Sequence, residues 1–451
     1  MALQAQVYVD TVIKLPHRPF SCIYLPSVNK LYISSVQCLF VLDCATYSLS
    51  RIPTNDHYNE AYKCHFAWNW RRDKLYAVRD GDDTLLVIDA HTDSIIKQIY
   101  FTGLAPAYVS TRDCVYGTSG DLIVIDCATD SIIRRVAGPY GMCASVWWDS
   151  AGNKVYTSSS YEPYIEMAFS CDNDSLVAVF NSGVQYVDHM SFCPVHRRAY
   201  YFCREYGPPL LLLDTKYDTV LGIRDMGISH AIARARDTDK FYVTVSRGRR
   251  DDSVFAIDCA TDSVVARVPI PNLAAAEINW TPWNNQLYVI GVADQDSVDC
   301  VSVIDCQTDS VIARIGVGHI PRDIGIDTVN QRVYVPCQYE STVYVLRDTT
   351  TGVAEPARVA PAASLSVIPN PAEDRVTIDA SVPASVHAVL AVYDASGRHV
   401  QTLDCAEIEP GVLHARWDGT DGRGRVSPGV YVIKLDAGTT HLSRKVVLTG
   451  R

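Results

Sequence analysis

The sequence predicts an all-β protein: a β-propeller of eight blades followed by a small β-sandwich. Three observations predict it. First, a segment reading Asp-Cys-Ala-Thr-Asp-Ser-Val/Ile stands almost verbatim at 126–132 and 258–264. Variants stand at 43–49, 89–95 and 305–311, and weaker copies at 170–176, 214–220 and 348–353. The spacing is roughly forty-four residues, that of a four-stranded propeller blade. Second, a hairpin-like element of the form Asn/Asp-Lys-x-Tyr precedes most of these copies, and its Tyr recurs as Tyr32, Tyr76, Tyr116, Tyr156, Tyr200, Tyr242, Tyr288 and Tyr334. Third, the repeat stops near residue 352, and a different pattern of short strands and turns begins at Ser364.

Each repeat resolves into four strands. The first precedes the hairpin, as in Ile278-Asn279-Trp280, and the second carries the repeating Tyr. The third is an apolar run ending in Asp, as at 85–89 and 301–305, and the fourth follows the Asp-Cys-Ala-Thr turn, as at 310–315. Near-continuous apolar strands need burial on both faces, which blades stacked around an axis provide. Eight residues before each Tyr stand Tyr24, Trp68, Tyr108, Trp148, Phe192, Arg234, Trp280 and Ile326. Large rings at one repeat position fill the wedge between neighbouring blades. Segment 7–15 reads as a fourth strand lacking its first three, and the chain near 350 supplies three strands with only a weak fourth. Joining the two closes the ring and makes eight blades, or seven if the degenerate unit around Cys171 is irregular. The domain reading is therefore propeller 1–352, linker 353–363 and β-sandwich 364–451, the last with candidate strands at 365–368, 375–380, 388–393, 412–417, 429–435 and 442–448.

Composition limits function. The net charge of −11 and pI near 5.5 argue against a nucleic-acid partner, whose phosphates need clustered Lys and Arg. No apolar run is long enough for a membrane span, and residues 1–6 show no signal-peptide pattern. Of the fifteen cysteines, Cys44, Cys127, Cys259 and Cys306 share one repeat position. Equivalent positions in different blades are too far apart for disulfides, so these read as small buried side chains. No Cys-x-x-Cys pair suggests a structural zinc.

The blade pattern, strand-Asp-x-x-Thr-Asp-Ser-Val and then Asn-x-x-Tyr-Val, resembles the YVTN-type propeller repeats over residues 7–350. That wider group includes secreted and surface proteins, lactone-hydrolase-like enzymes and redox-associated propellers, so the resemblance implies fold more than function. The C-terminal motifs Pro369-Asn370-Pro371, Val392-Tyr393-Asp394-Ala395-Ser396-Gly397-Arg398, Trp417-Asp418-Gly419-Thr420-Asp421-Gly422 and Ser427-Pro428-Gly429-Val430-Tyr431 are similar to the Ig-like flagellar-hook-capping-like domains and the sorting domains of type IX secretion. The resemblance implies an extracellular or cell-surface location and contact with export machinery.

Chemistry in a propeller concentrates where the innermost strands border the channel. Eleven residues before each Tyr stand Ser21, His65, Ala105, Ser145, His189, Ala231, Glu277 and Asp323. His230 and Arg322 adjoin this set, and nearby loops add His17, His57 and His319. Imidazole and carboxylate suit a divalent metal or general acid–base work, whereas a wet channel mouth uses the same residues to satisfy loop backbone. No Gly-x-Ser-x-Gly, His-Glu-x-x-His or phosphate loop occurs. The expectation is a non-enzymatic scaffold that requires no cofactor and binds a protein, glycan or small molecule at its channel face. The alternatives are a lactone-hydrolase-like enzyme using those His, Glu and Asp residues, or a metal-binding propeller.

Overall fold

The structure, a computed structural model, describes residues 6–449 except 37, 55–62, 80–82, 140, 143–144, 160–164, 182–186, 188, 203–209, 225–226, 247–251, 271–272, 294–298, 350–363, 369–370, 373–375, 383–387, 404, 410–411, 422–423 and 438–439. His57 and the expected linker 353–363 lie outside the described residues. The chain divides into two units, one running to Gly352 and one holding residues 353–451, with the short stretch Val109–Arg112 grouped with the second.

The first unit holds eight four-stranded antiparallel sheets. Seven are consecutive meanders. Blade 2 is typical: Cys64–Asn69, Lys74–Arg79, Thr84–Asp89 and Ser94–Tyr100 pair in that order. Blade 8 is assembled from both ends of the unit. Gly325–Asp327, Arg332–Cys337 and Thr342–Thr349 supply three strands, and Gln6–Lys14 adds the fourth against Thr342–Thr349. Ring closure by strand exchange is thus observed. The unit around Cys171 is regular, with strands Glu166–Ser170 and Leu176–Phe180, so the count is eight.

Two turns per blade explain the recurring Asn and Asp. The residue three before each Tyr has a left-handed backbone in every blade: Asn29, Asp73, Asp113, Asn153, Arg197, Asp239, Asn285 and Gln331. The residue ending the Thr-Asp pair does likewise at Asp93, Asp130, Asp174, Asp218, Asp262 and Asp309, with Tyr47 in blade 1. Asn and Asp tolerate this conformation better than other side-chain-bearing residues. The first Asp of the turn caps it. Asp258 accepts from the Ala260 and Thr261 amides at 3.1 and 2.8 Å and from the Thr261 hydroxyl at 2.8 Å, and Asp43, Asp89, Asp126 and Asp305 repeat the pattern. The intervening Cys44, Cys127, Cys259 and Cys306 are fully buried. They serve as the small core residues expected of them.

The repeated tyrosines tie each blade to the next. Tyr32, Tyr76, Tyr116, Tyr156, Tyr200 and Tyr242 donate to Asp93, Asp130, Asp174, Asp218, Asp262 and Asp309 of the following blade, at 2.5–2.6 Å. In four of these pairs the Lys two residues before the Tyr grips the same carboxylate, as Lys74 Nζ does on Asp130 at 2.6 Å. Burial, reinforced by the adjacent carboxylate, pushes these phenols far above their usual range. The closure departs from the rule. Blade 1 carries Tyr47 where the Asp would be, and Arg332 of blade 8 lies over its ring at 5.1 Å while donating to the Cys44 carbonyl at 3.1 Å. Asp10 of the closing strand pairs with Arg332 at 3.7 Å.

The position eight before each Tyr packs between blades, and in blades 1, 3 and 7 its polar tip reaches the left-handed hairpin residue, whereas the buried indole N–H groups of Trp68 and Trp148 make no hydrogen bond among the described residues. Tyr24 and Tyr108 donate to Asn29 and Asp113 at 2.8 and 3.1 Å, and Trp280 to Asn285 at 2.9 Å. Apolar clusters bridge consecutive blades, including blades 8 and 1 through Leu15, Leu31, Tyr334 and Val343.

The second unit is a sandwich of two four-stranded antiparallel sheets. One orders Ser364–Ile368, Val376–Ser381, Val412–Trp417 and Cys405–Glu409; the other orders His399–Leu403, Ala388–Asp394, Gly429–Ala437 and Thr440–Leu448. The strands at 399–403 and 405–409 were not among the six expected. Trp417 and Tyr431 meet edge-on in its core at 4.9 Å between centroids. In the glycine-rich segment at 418–424, Asp418 accepts from the Thr420 hydroxyl at 2.6 Å and Asp421 from the Gly424 amide at 3.1 Å. It is a self-capped turn.

Candidate functional site

Antiparallel pairing sets the two faces of the propeller. His65 pairs with Val78 at one end of its strand, and Asn69 pairs with Lys74 at the hairpin end. The positions eleven before each Tyr therefore share one face. The hairpins and Asp-Cys-Ala-Thr turns share the other.

On the first face, several channel residues bond to the backbone of a neighbouring blade. The Ser21 hydroxyl accepts from the Cys64 amide and donates to the Cys64 carbonyl, both at 2.9 Å. Ser145 accepts from the Ala105 amide at 3.4 Å. Asp323 Oδ2 accepts from the Cys22 amide at 2.8 Å, and Oδ1 from Ile324 at 2.7 Å. Burial pushes the Asp323 carboxyl above its usual range, opposed by those amides and by the positive charges of Lys63 and His65. Burial, Asp323, Cys44 and Glu277 in turn push the Cys22 thiol up. Asp323, His65 and Lys63 thus lie within electrostatic reach of one another where blades 8, 1 and 2 meet, and Glu277 borders the same region.

The other expected residues are spread around the ring. His189 stacks on Phe202 at 5.5 Å. His230 is the extra residue of a bulge between Ser229 and Ala231, and Glu277 follows a similar bulge after Ala275. Arg322 lies over the Phe20 ring at 4.9 Å and donates to Gln338 at 2.7 Å. Exposed His17 stacks near Phe40 at 6.2 Å. His319 Nδ1 bonds the buried Asp299 at 2.8 Å. The shared register of His17 and His319 places them in adjacent blades, each with its own aromatic contact.

Among the described residues, one group brings three metal-type ligand atoms within 4.8 Å of one another, and it is on the opposite face: Cys193, His196 and Asp239. His196 Nε2 and Asp239 Oδ2 are 2.6 Å apart, and Cys193 Sγ is 3.5 Å from Asp239 Oδ1. Arg234 Nη2 also donates to Oδ1 at 2.9 Å. A hydrogen bond from Cys259 holds the Cys193 thiol below its usual range against the cost of burial, with Arg234 adding to the effect, and the Cys259 thiol is pushed up correspondingly. Burial alone would raise Asp239, but the bond and charge of Arg234, then those of His196, hold it down. Sequence reasoning missed this group because it sought Cys-x-x-Cys. The available signal was Cys193-x-x-His196, with Arg234 in the next blade at a position that is aromatic in six of the eight.

Comparison with known proteins agrees with this architecture. Residues 367–441 match the FlgD Ig-like domain family. The chain is similar in structure to BamB from Moraxella catarrhalis, with a TM-score of 0.56 and 13% identity over 76% of this chain and all (100%) of that one. It is similar also to a chain of the mitotic checkpoint complex, with a TM-score of 0.51 and 9% identity over 75% of this chain and 91% of that one. At these identities the likeness is one of fold. No curated protein sequence matches the chain.

Proposed function

We propose that the protein is an exported or cell-surface binding scaffold. Its propeller presents the channel face to a protein, glycan or small ligand, and its Ig-like domain serves secretion or surface attachment. One observation carries this reading. The repeat positions are committed to latches, caps and wedges, while the channel positions carry Ser, His, Ala, Glu and Asp without a common rule. Variation at the channel positions of a rigid repeat array is how such folds present a binding surface. The FlgD Ig-like match supports the export half, and the likeness in fold to BamB and to a chain of the mitotic checkpoint complex supports a propeller scaffold.

The test is binding of the full chain to glycan and peptide arrays, repeated with His189→Ala and Glu277→Ala. Ligand binding lost in these variants at unchanged unfolding temperature supports the scaffold. Lactone hydrolysis by the wild type, lost in the same variants, replaces it with the enzyme. One observation favours that second reading: Asp323, shifted toward its neutral form beside Lys63 and His65, has the character of a general acid. For the export half, protease shaving of intact producing cells should degrade the full chain and spare a chain ending before residue 364. Equal protection of both sinks it.

A further inference from the structure

We propose that Cys193, His196 and Asp239 form a binding site for a divalent transition-metal ion, zinc by its donor set, at the junction of blades 5 and 6. The residues seven and four before the Tyr of one blade recurrently meet the residue three before the Tyr of the next. At the junction of blades 2 and 3, Asn69 and Arg72 donate to Asp113 at 2.9 and 2.6 Å. At blades 8 and 1, Asn330 donates to Asn29 at 2.9 Å, and at blades 4 and 5, Arg197 reaches Asp149 at 3.4 Å. The fold thus brings side chains from these positions together at three junctions, where they are amides, carboxylates and guanidinium groups joined by hydrogen bonds.

At blades 5 and 6 the same three positions hold a thiol, an imidazole and a carboxylate. Cys193 closes the strand His189–Cys193 and stands where Asn69, Asp149 and Asp327 cap the hairpin elsewhere. A thiol is a poor cap and a good soft ligand. Thiolate, imidazole and carboxylate together are a zinc-type donor set. Zinc lies about 2.3 Å from sulfur and about 2.0–2.2 Å from nitrogen or oxygen. Tetrahedral neighbours are then about 3.3–3.6 Å apart, and the three ligand atoms already lie within 4.8 Å of one another. The His196–Asp239 contact of 2.6 Å must open by less than about 1 Å.

Access and surroundings agree. Cys193 is fully buried, whereas the side chains of His196 and Asp239 are 31% and 37% exposed, so an ion enters from solvent and keeps a fourth position toward water. Arg234 and Cys259 are the outer groups. The guanidinium orients Asp239 through Oδ1 and leaves Oδ2 to the ion, and Cys259 packs in the same buried cluster as Cys193. Binding displaces the Cys193 thiol proton and needs the His196 Nε2 lone pair, so affinity falls with falling pH.

The experiment uses the full chain without a His tag, stripped with chelator and titrated with zinc chloride against a chromophoric chelator, then with cobalt(II). The expected result is one equivalent of zinc, a thiolate-to-cobalt charge-transfer band, and a higher unfolding temperature with zinc. Cys193→Ser should abolish the band. His196→Ala, a change at the surface, should weaken zinc by more than the roughly 10–100-fold typical of outer groups and remove the zinc-dependent stabilisation while its metal-free unfolding stays near wild type. No stoichiometric binding by the wild type, or binding that either substitution leaves unchanged, overturns the assignment. Because the site is on the face opposite the channel mouth, its failure leaves the scaffold function standing.

Discussion

Replacing Tyr76 by Phe tests whether the latches between blades hold the ring together. The Tyr76 ring is fully buried, and its hydroxyl donates to Asp130 Oδ1 at 2.6 Å. Asp130 Oδ2 receives Lys74 at 2.6 Å, and the Lys74 and Asp130 side chains are 15% and 9% exposed. Tyr76→Phe keeps the ring and deletes one bond to a charged acceptor, a loss of about 1.5–3 kcal/mol. A propeller of about 345 residues unfolds with an entropy near 0.7 kcal/mol/K, so about 2 kcal/mol lowers its unfolding temperature by ~3 °C. The same substitution at Tyr288 is the internal control. Tyr288 is equally buried, but the sequence carries Gly352 where the latch Asp would stand; the charge of Asp348 acts on its hydroxyl, and the hydrogen-bonding partner is the neutral Asn284. A neutral bond contributes about 0.5–1.5 kcal/mol, so Tyr288→Phe should lower the temperature by only ~1 °C. Calorimetry on both variants reads the difference directly. Equal losses at 76 and 288 would refute the latch as a charged, cooperative contact and leave the tyrosines as core filling.

Further predictions concern turns and packing. Bonds from the Thr261 hydroxyl and amide depress the Asp258 carboxyl below its usual 3.8. This depressed group stabilises the fold fully above 3.8 and loses that contribution as pH falls through its folded value. The penalty of Thr261→Val in thermal melts should therefore shrink between about pH 6 and pH 2.5; a constant penalty would show that the turn bonds do not depend on the charge. Gly117→Ala would place a methyl 2.3 Å from the buried Phe101 ring, whereas Gly222 has nothing within 4 Å. The first should cost about 1–3 kcal/mol and the second should be near neutral in the same denaturation assay. Trp417→Ala empties the centre of the Ig-like core and frees the Thr420 carbonyl it binds at 2.8 Å. At about 3–5 kcal/mol, limited proteolysis should cut within 364–448 far faster than in wild type.

Intrablade structure was legible because it is local. The Tyr-centred ruler placed every second strand, and the turn residues announced themselves through their tolerance of left-handed backbone. Even the closure by segment 7–15 could be read, since a lone fourth-strand pattern has only one edge to complete. Relations between blades were harder. A latch joins Tyr76 to Asp130 and Tyr242 to Asp309, separations longer than one repeat, so aligning units on themselves hides it. The clue was the paired exception: blade 1 lacks the Asp, and blade 8 carries Arg332 beside Tyr334 where four of the eight units carry Lys. At the channel, register gave positions and no directions. It located Asp323, but it did not reveal that Asp323, Ser21 and Ser145 are turned to the backbone. The strands at 399–403 and 405–409 were missed because polar residues separate their few apolar ones and no glycine divides them.

The shared eighth blade makes completion of this molecule an event in time. Among the described residues, Gln6–Lys14 pairs with one strand, Thr342–Thr349, so during synthesis it must wait for nearly the whole ring to leave the ribosome. Until then it presents unpaired amides and carbonyls that invite pairing with other chains. Contact between such distant segments closes late and slowly. Once made, it removes the loose end from which an array of repeats would otherwise fray.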